Sequence, residues 1–247
     1  VKPPVLQPLP WDSAFFGFGV GQLSGHEISP AQAQELLTAA PALRLVYWLV
    51  DPADALTQAT AEQAGLSPVD HKLTFERRIG GISYPRPMSG PAATADGAVK
   101  QVPPSPEPGP ALAALARRSG VWSRFRLDPR LPAGSFERLY DTWLRQDLHA
   151  DNGAVVLATG EAGHETGLLT LTPNLPVASI GLLAVAETAQ RRGLGRQLLA
   201  AAEAQARRWG ADTLRVVTQR ANRPACALYQ QYGFELRREQ LVYHWWR

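Results

Sequence analysis

Residues 190–199, QRRGLGRQLL, combine two glycines and three arginines with the start of a leucine-rich helical pattern. Gly193 and Gly195 carry no Cβ, so neighbouring backbone amides can converge on one point. Those amides open a helix, where first-turn N–H groups lack partners and the dipole is positive. A pyrophosphate meets both conditions, and Arg191, Arg192 and Arg196 add charge that suits an anion. The same residues also fit an ordinary helix start with a solvated basic rim, and the turn alone leaves both readings open. Two familiar phosphate loops are excluded by spacing. A P-loop requires four residues between its glycines and then Lys-Ser/Thr. The dinucleotide fingerprint requires Gly or Ala where Leu198 stands, and an acidic end to the next strand, which TLRVVTQ (213–219) lacks.

Two further stretches carry chemical groups. In WSRFRLDP (122–129), Arg124 and Arg126 follow Trp122 and Ser123 and enclose Phe125. Guanidinium forks pair phosphates, and flat apolar faces suit a base or a sugar. A loop packed by its own aromatics, with its arginines in solvent, fits as well. Tyr229 lies on a predicted helix over 223–232, behind Asn222 as a cap and Pro224 in the first turn. By spacing alone it is a buried core tyrosine. Cys226, on the same helix, has nothing to activate it and reads as a packed thiol.

These residues need elements to position them. The first 80 residues read as strand, helix, strand, helix, strand: an aromatic, glycine-punctuated stretch (9–23), a Ser-Pro-initiated helix (29–40), an apolar strand (43–50), a helix ending at Gly65 (53–66) and an alternating strand (71–79). The Pro/Ala-rich 83–97 is a linker by composition. A short strand (98–102), a stiff prolyl turn (103–110) and a helix (111–119) follow. In the helix over 134–148, Phe136, Leu139, Tyr140, Trp143, Leu144 and Leu148 form an amphipathic stripe. Strands are predicted at 154–159, 165–173, 177–185 and 213–219, a helix at 190–209, and two strands within 234–246. The fold class is α/β in the α+β sense, with an N-terminal α/β unit (1–82), the linker (83–97) and a larger domain (98–247).

Composition narrows the function classes. At 247 residues, 45% hydrophobic and 19% charged, the chain is globular, and a net charge of +3 without a basic stripe argues against nucleic acid as a partner. One cysteine excludes an internal disulfide and a multi-cysteine metal site, and fits a reducing compartment. The longest apolar run, Leu45 to Val50, is far short of the roughly 20 residues of a membrane helix. No signal peptide is visible, so a cytoplasmic protein with no membrane or metal partner is expected.

Two motifs in order, Q-x-x-G-x-G (Gln190, Gly193, Gly195) and N-x-x-A-x-x-L-Y-x-x-x-G-F (Asn222, Ala225, Leu228, Tyr229, Gly233, Phe234), resemble the GCN5-related N-acetyltransferase superfamily. The resemblance implies a mixed, splayed central sheet and acetyl-CoA as co-substrate. It places the pyrophosphate on the turn Arg191, Arg192, Gly193, Leu194, Gly195 and Arg196, and the pantetheine arm along the main chain of Leu183, Ala184 and Val185. It also implies an oxyanion contact from the Leu183 N–H, coenzyme contacts from Gln190, Asn222 and Ala225, and Tyr229 as general acid. WDSAFFG (11–17), GLSPVD (65–70) and SRFR (123–126) resemble the narrower family of TDP-fucosamine acetyltransferases, which act on the amine of a nucleotide-linked amino-dideoxy sugar. That resemblance makes Asp70 the candidate base and Trp122, Ser123, Arg124, Phe125 and Arg126 the acceptor contacts, with residues 1–82 as an acceptor-side unit. His26, His149 and His164 are scattered and read as surface groups. A different amine acceptor and a silent coenzyme-binding module are the alternatives. Superfamily members often pair through their sheets, so LVYHWW (241–246) is expected as an aromatic edge that a homodimer would cover.

Overall fold

The computed structural model describes residues 3–80 and 98–247; the linker expected at 83–97 lies outside the described residues. The first stretch runs β1 (Val5–Pro8), α1 (Pro10–Phe16), β2 (Gly19–Ser24), α2 (Pro30–Ala39), β3 (Leu43–Val50), α3 (Ala55–Gln63) and β4 (Pro68–Arg78). The second runs β5 (Lys100–Gln101), α4 (Pro110–Ser119), α5 (Arg124–Leu127), α6 (Ser135–His149), β6 (Val155–Glu161), β7 (His164–Asn174) and β8 (Val177–Val185). It ends with α7 (Leu194–Arg208), β9 (Thr213–Gln219), α8 (Arg223–Tyr232) and β10 (Glu235–Trp246).

Three local expectations are corrected. The stretch 9–23 begins with a helix. Proline occupies its first turn, Trp11 and Phe15 stack one helical turn apart at 5.5 Å, and Gly17 ends it at φ 77°. The chain end is one strand, not two, because β10 is paired along its length and absorbs its irregularities as register shifts near Leu236 and Val242. Residues 124–127, read as loop, form the short helix α5.

Among the described residues, all strands join one ten-stranded sheet in the order β1-β2-β3-β10-β4-β9-β8-β7-β6-β5. β10 pairs antiparallel with both β3 and β4. The last strand of the second stretch is thus flanked by two strands of the first, and both stretches share one sheet. LVYHWW is therefore interior. Tyr243 has no exposed surface, and the argument for pairing two copies through this segment falls.

The sheet's alternation sends successive side chains into separate cores. Val156 and Ala158 of β6 pack under α4 and α6, in a core with Leu115, Leu139, Leu144 and Leu148. Val155 and Leu157 pack on the other face with Leu198, Leu199 and Ala202 of α7. A third core joins α2 and α3 to β2 and β3 through Leu23, Ala33, Val46 and Trp48.

In β8 the alternation breaks. Ala178 and Ile180 face α7, yet Leu182 and Ala184 face α4 and α6. The pairing with β7 slips by one residue between Leu169↔Leu183 and Leu171↔Ile180, so Gly181 and Leu182 together oppose Thr170. This is a β-bulge, which bends its strand and reverses the faces beyond it. The Leu182 amide donates to the Thr170 hydroxyl at 3.1 Å. The parallel pairing of β8 with β9 runs from Val177↔Thr213 to Ile180↔Val216 and stops at the bulge. Beyond it the two strands part.

A Cβ on Gly181 would lie 2.8 Å from the Thr170 hydroxyl oxygen. Gly181→Ala is expected to lower stability by about 1–3 kcal/mol through this overlap; urea melts check it.

Candidate active site

The parted strands enclose an open cavity of about 260 Å³, near the lower end of small-molecule sites. Gly181, Leu182 and Leu183 line one side and Val216 to Gln219 the other. Asn222 and Tyr229 reach it from α8. Asp70 and Lys72 enter from β4, and Ser119, Arg124, Tyr140 and Trp143 from the α4–α6 side. Both stretches of the chain thus supply one cavity.

The glycine turn follows β8. Gly193 adopts φ 80° at the N-cap of α7, a conformation a Cβ disfavours, and no side chain caps the helix. Among the described residues, none of the first-turn amides has a side-chain partner. Arg191 also has positive φ, 62°. Arg191 and Arg192 are exposed, and Arg196 lies 5.9 Å from the centre of the Tyr232 ring. Gly195 faces Leu228, where a Cβ would approach to 3.0 Å. The Gln190 side chain donates to the Val185 carbonyl at 3.4 Å, and Arg118 donates to the same oxygen at 3.0 Å. Leu194 and Ala184 are buried, so only their main chain is available to a ligand. The Asn222 side-chain Oδ1 caps α8 by accepting from the Ala225 amide at 3.3 Å, as its cap position predicts.

Tyr229 is 4% exposed, and its phenol makes no side-chain hydrogen bond among the described residues although it lines the cavity. Burial, reinforced by neighbouring Cys226, holds its pKa above the ordinary phenol value. The Cys226 thiol donates to the Gln219 carbonyl at 3.6 Å and packs against the α7-side core.

Asp70 is 7% exposed, and its Oδ2 has no hydrogen-bond partner among the described residues. Burial pushes its carboxyl up to about 6, against the charge of Arg124, the His71 amide and Lys72. Lys72 is lowered from its ordinary value, by burial first and then by Arg124 and Arg238. His71 points away from the cavity and meets Glu239 at 2.9 Å. His26, His149 and His164 are exposed and line none of it.

The stretch 122–126 is dispersed, since α5 takes in only its last three residues and turns successive side chains by about 100°. Only Arg124 lines the cavity. Trp122 is exposed, Ser123 is buried, and Phe125 is core, its ring 5.8 Å from that of Trp143. Arg126 turns to solvent and pairs with Glu137 at 3.4 Å. The sequence reading missed Lys72, Ser119, Tyr140 and Trp143 as site residues. Lys72 shares the β4 face of Asp70 by strand alternation, which was the available signal. Tyr140 and Trp143 belong to a stripe that looks like core throughout.

A mixed sheet covered on both faces, forked between two parallel strands, with a glycine turn opening the helix after the first, defines an acetyltransferase fold. Residues 120–234 match the acetyltransferase (GNAT) family. The chain is 34% identical over 107 residues to the uncharacterized N-acetyltransferase YvbK of Bacillus subtilis, covering 40% of this chain and 69% of YvbK. The chain belongs to the GNAT family, and by class it is an acetyl-CoA-dependent acyltransferase. It is also 28% identical over 231 residues to the dTDP-fucosamine acetyltransferase of Escherichia coli, covering 92% of each chain. A match to the spore coat polysaccharide biosynthesis protein SpsD of Bacillus subtilis, 28% identical over 144 residues, takes in 58% of this chain and half of SpsD. Among solved structures, a GCN5-related N-acetyltransferase from Sphaerobacter thermophilus superposes with a TM-score of 0.60 over 98% of this chain and 76% of its own, at 14% identity, and supports the fold. Among the described residues, no helix is long and apolar enough to cross a membrane.

The Asp70 carboxyl has a measurable signature. Its native pKa near 6 lies above the ordinary 3.8, so between about pH 4 and 6 the folded chain keeps a proton the unfolded chain has lost. Stability falls with rising pH across that window. Asp70→Asn is expected to remove this fall, so its melting temperature gains on the wild type between pH 4 and 7.

Proposed function

We propose that the protein is a cytoplasmic enzyme that moves the acetyl group of acetyl-CoA to the amine of a nucleotide-linked amino-dideoxy sugar. The carrying observation is that an unpartnered buried carboxylate, a buried phenol and a guanidinium meet in one cavity at the fork of the sheet. In this reading the pyrophosphate of the coenzyme rests on the uncapped amides of α7, ringed by Arg191, Arg192 and Arg196. The thioester arm lies along Leu183 to Val185, on the strand edge that β9 has left. Asp70 takes a proton from the acceptor ammonium, and the freed amine attacks the thioester carbonyl. The Leu183 N–H holds the developing oxyanion; as the C–S bond breaks, Tyr229 protonates the departing thiolate, and the proton shed by the newly acylated nitrogen restores the phenol. Ionised Asp70 is the working form, so burial tunes it to shed its proton just below neutrality.

The acceptor end supports an anionic amine. Asp70 and Lys72 of the N-terminal stretch line the cavity together with Arg124, which supports reading residues 1–82 as an acceptor-side unit. Arg124 and Lys72 suit the phosphates of a nucleotide sugar. The names of the Escherichia coli and SpsD relatives point to sugar and polysaccharide chemistry, and this reading carries that across.

A thiol-release assay with acetyl-CoA and TDP-, UDP- and GDP-linked 4-amino-dideoxy sugars tests the proposal, with spermidine and a peptide as controls. Turnover confined to a nucleotide sugar is expected; turnover of spermidine or peptide alone rejects the acceptor. With the active sugar, kcat/KM is expected to rise with pH through an apparent pKa near 6, and Asp70→Asn to abolish that limb. Tyr229→Phe is expected to lower kcat about 100-fold while leaving the KM for acetyl-CoA within twofold, since it deletes a proton donor and little contact area.

A further inference from the structure

Arg124 is held in an unusual way for a half-buried cation. Its Nε is buried without a hydrogen-bond partner, and the guanidinium makes no ion pair among the described residues. It rests instead on aromatic faces, 4.6 Å from the centre of the Tyr47 ring and 4.2 Å from that of Phe125. Of the carboxylates near it, Asp70 feels its charge across the cavity but forms no ion pair with it among the described residues, and the other two are engaged elsewhere. Asp12 accepts from the Tyr47 hydroxyl at 3.3 Å. Asp128 receives His244 Nδ1 at 2.6 Å, the Trp246 indole at 3.0 Å and Arg130 at 3.2 Å. His244 then packs its ring 5.1 Å from that of Tyr47. Burial pushes His244 down to about 4, so it is neutral at pH 7 and adds no competing charge.

A carboxylate partner would cancel the charge of Arg124. An aromatic face attracts the cation and fixes its plane but leaves its charge and N–H donors for another anion. Arg124 also sits on a four-residue helix, too short to orient a long side chain by its own packing. Tyr47 is anchored from both ends, by Asp12 at its hydroxyl and by the His244–Asp128 pair behind its ring.

We propose that Tyr47 is a positioning residue, a seat that keeps the Arg124 guanidinium uncancelled and turned to the cavity, so that the enzyme selects acceptors bearing an anionic group near their amine. The proposal rests on the acceptor-side reading above and names the residue that sets its specificity. Asp12, His244 and Asp128 act through Tyr47, and none of the four touches the acceptor.

The test measures binding of thymidine 5′-diphosphate and of inorganic pyrophosphate by calorimetry, and steady-state kinetics with the active nucleotide sugar. Tyr47→Leu, without a π face, is expected to weaken diphosphate binding and raise the acceptor KM about tenfold, with kcat and the KM for acetyl-CoA within twofold. Tyr47→Phe keeps the ring and is expected to stay near the wild type. In a double-mutant cycle, Tyr47→Leu is expected to add nothing on an Arg124→Ala background. Binding of acetyl-CoA reports folding, and Tyr47→Met replaces Tyr47→Leu if that variant fails to fold. Unchanged diphosphate binding in the Leu or Met variant, additive losses with Arg124→Ala, or a wild type that binds neither anion overturns the seat. Diphosphate binding that is lost in both variants, with turnover of some other amine only, keeps the seat and rejects the nucleotide sugar. Turnover of the nucleotide sugar with a KM indifferent to Tyr47 does the reverse.

Discussion

The bulge at Gly181–Leu182 is the constraint on which the site depends. Two parallel strands in one sheet normally satisfy each other's backbone groups along their length. Here β8 gains a residue against β7, its side chains change faces, and its ladder to β9 ends at Ile180↔Val216. The strand edges beyond that point are available to a ligand's amide chain, which can act as a substitute strand. The bulge is held by a single hydroxyl, Thr170, accepting from the Leu182 amide. The small residue at 181 lets that hydroxyl come close. The cavity, the exposed strand edge and the approach to the α7 turn all follow from this one inserted residue.

The second organising feature is electrostatic. Asp70, Lys72 and Arg124 line one small cavity without pairing into salt bridges among the described residues. Unpaired buried charge is costly, and proteins tolerate it chiefly where a ligand completes the set or where chemistry needs a displaced pKa. Asp70 illustrates the balance, with burial raising its carboxyl and Arg124 pulling it back, for a net position near 6. The aromatic seat under Arg124 belongs to the same economy of charge, since it holds a cation in place without neutralising it.

The insertion of β10 between β3 and β4 ties these features together. It brings the C-terminal strand against Tyr47 of β3 through His244, and it holds β4, with Asp70 and Lys72, in register beside β9. A segment that looked like a free aromatic edge is the strand that joins the two stretches of the chain. Its aromatics are spent on that junction: Tyr243 fills the N-terminal core, and Trp246 donates to Asp128.

Local signals were legible wherever period and capping agree. The strands over 43–50, 177–185 and 213–219, the helix over 223–232 behind Asn222 and the amphipathic stripe of α6 follow from side-chain periodicity and cap chemistry, which neighbouring residues alone determine. The glycine turn and its arginines were legible for the same reason, since φ 80° at Gly193 and uncapped amides are properties of a few consecutive residues. What only the tertiary structure decided are matters of partnership. That Arg124 enters the cavity while Arg126 pairs with Glu137, that Lys72 and Trp143 line it, and that β10 is central depends on which distant residues lie opposite. The burial that moves Asp70 and the bulge that reverses β8 likewise arise from contacts across the sheet. Periodicity names the face a side chain takes, and only the assembled sheet says what that face meets.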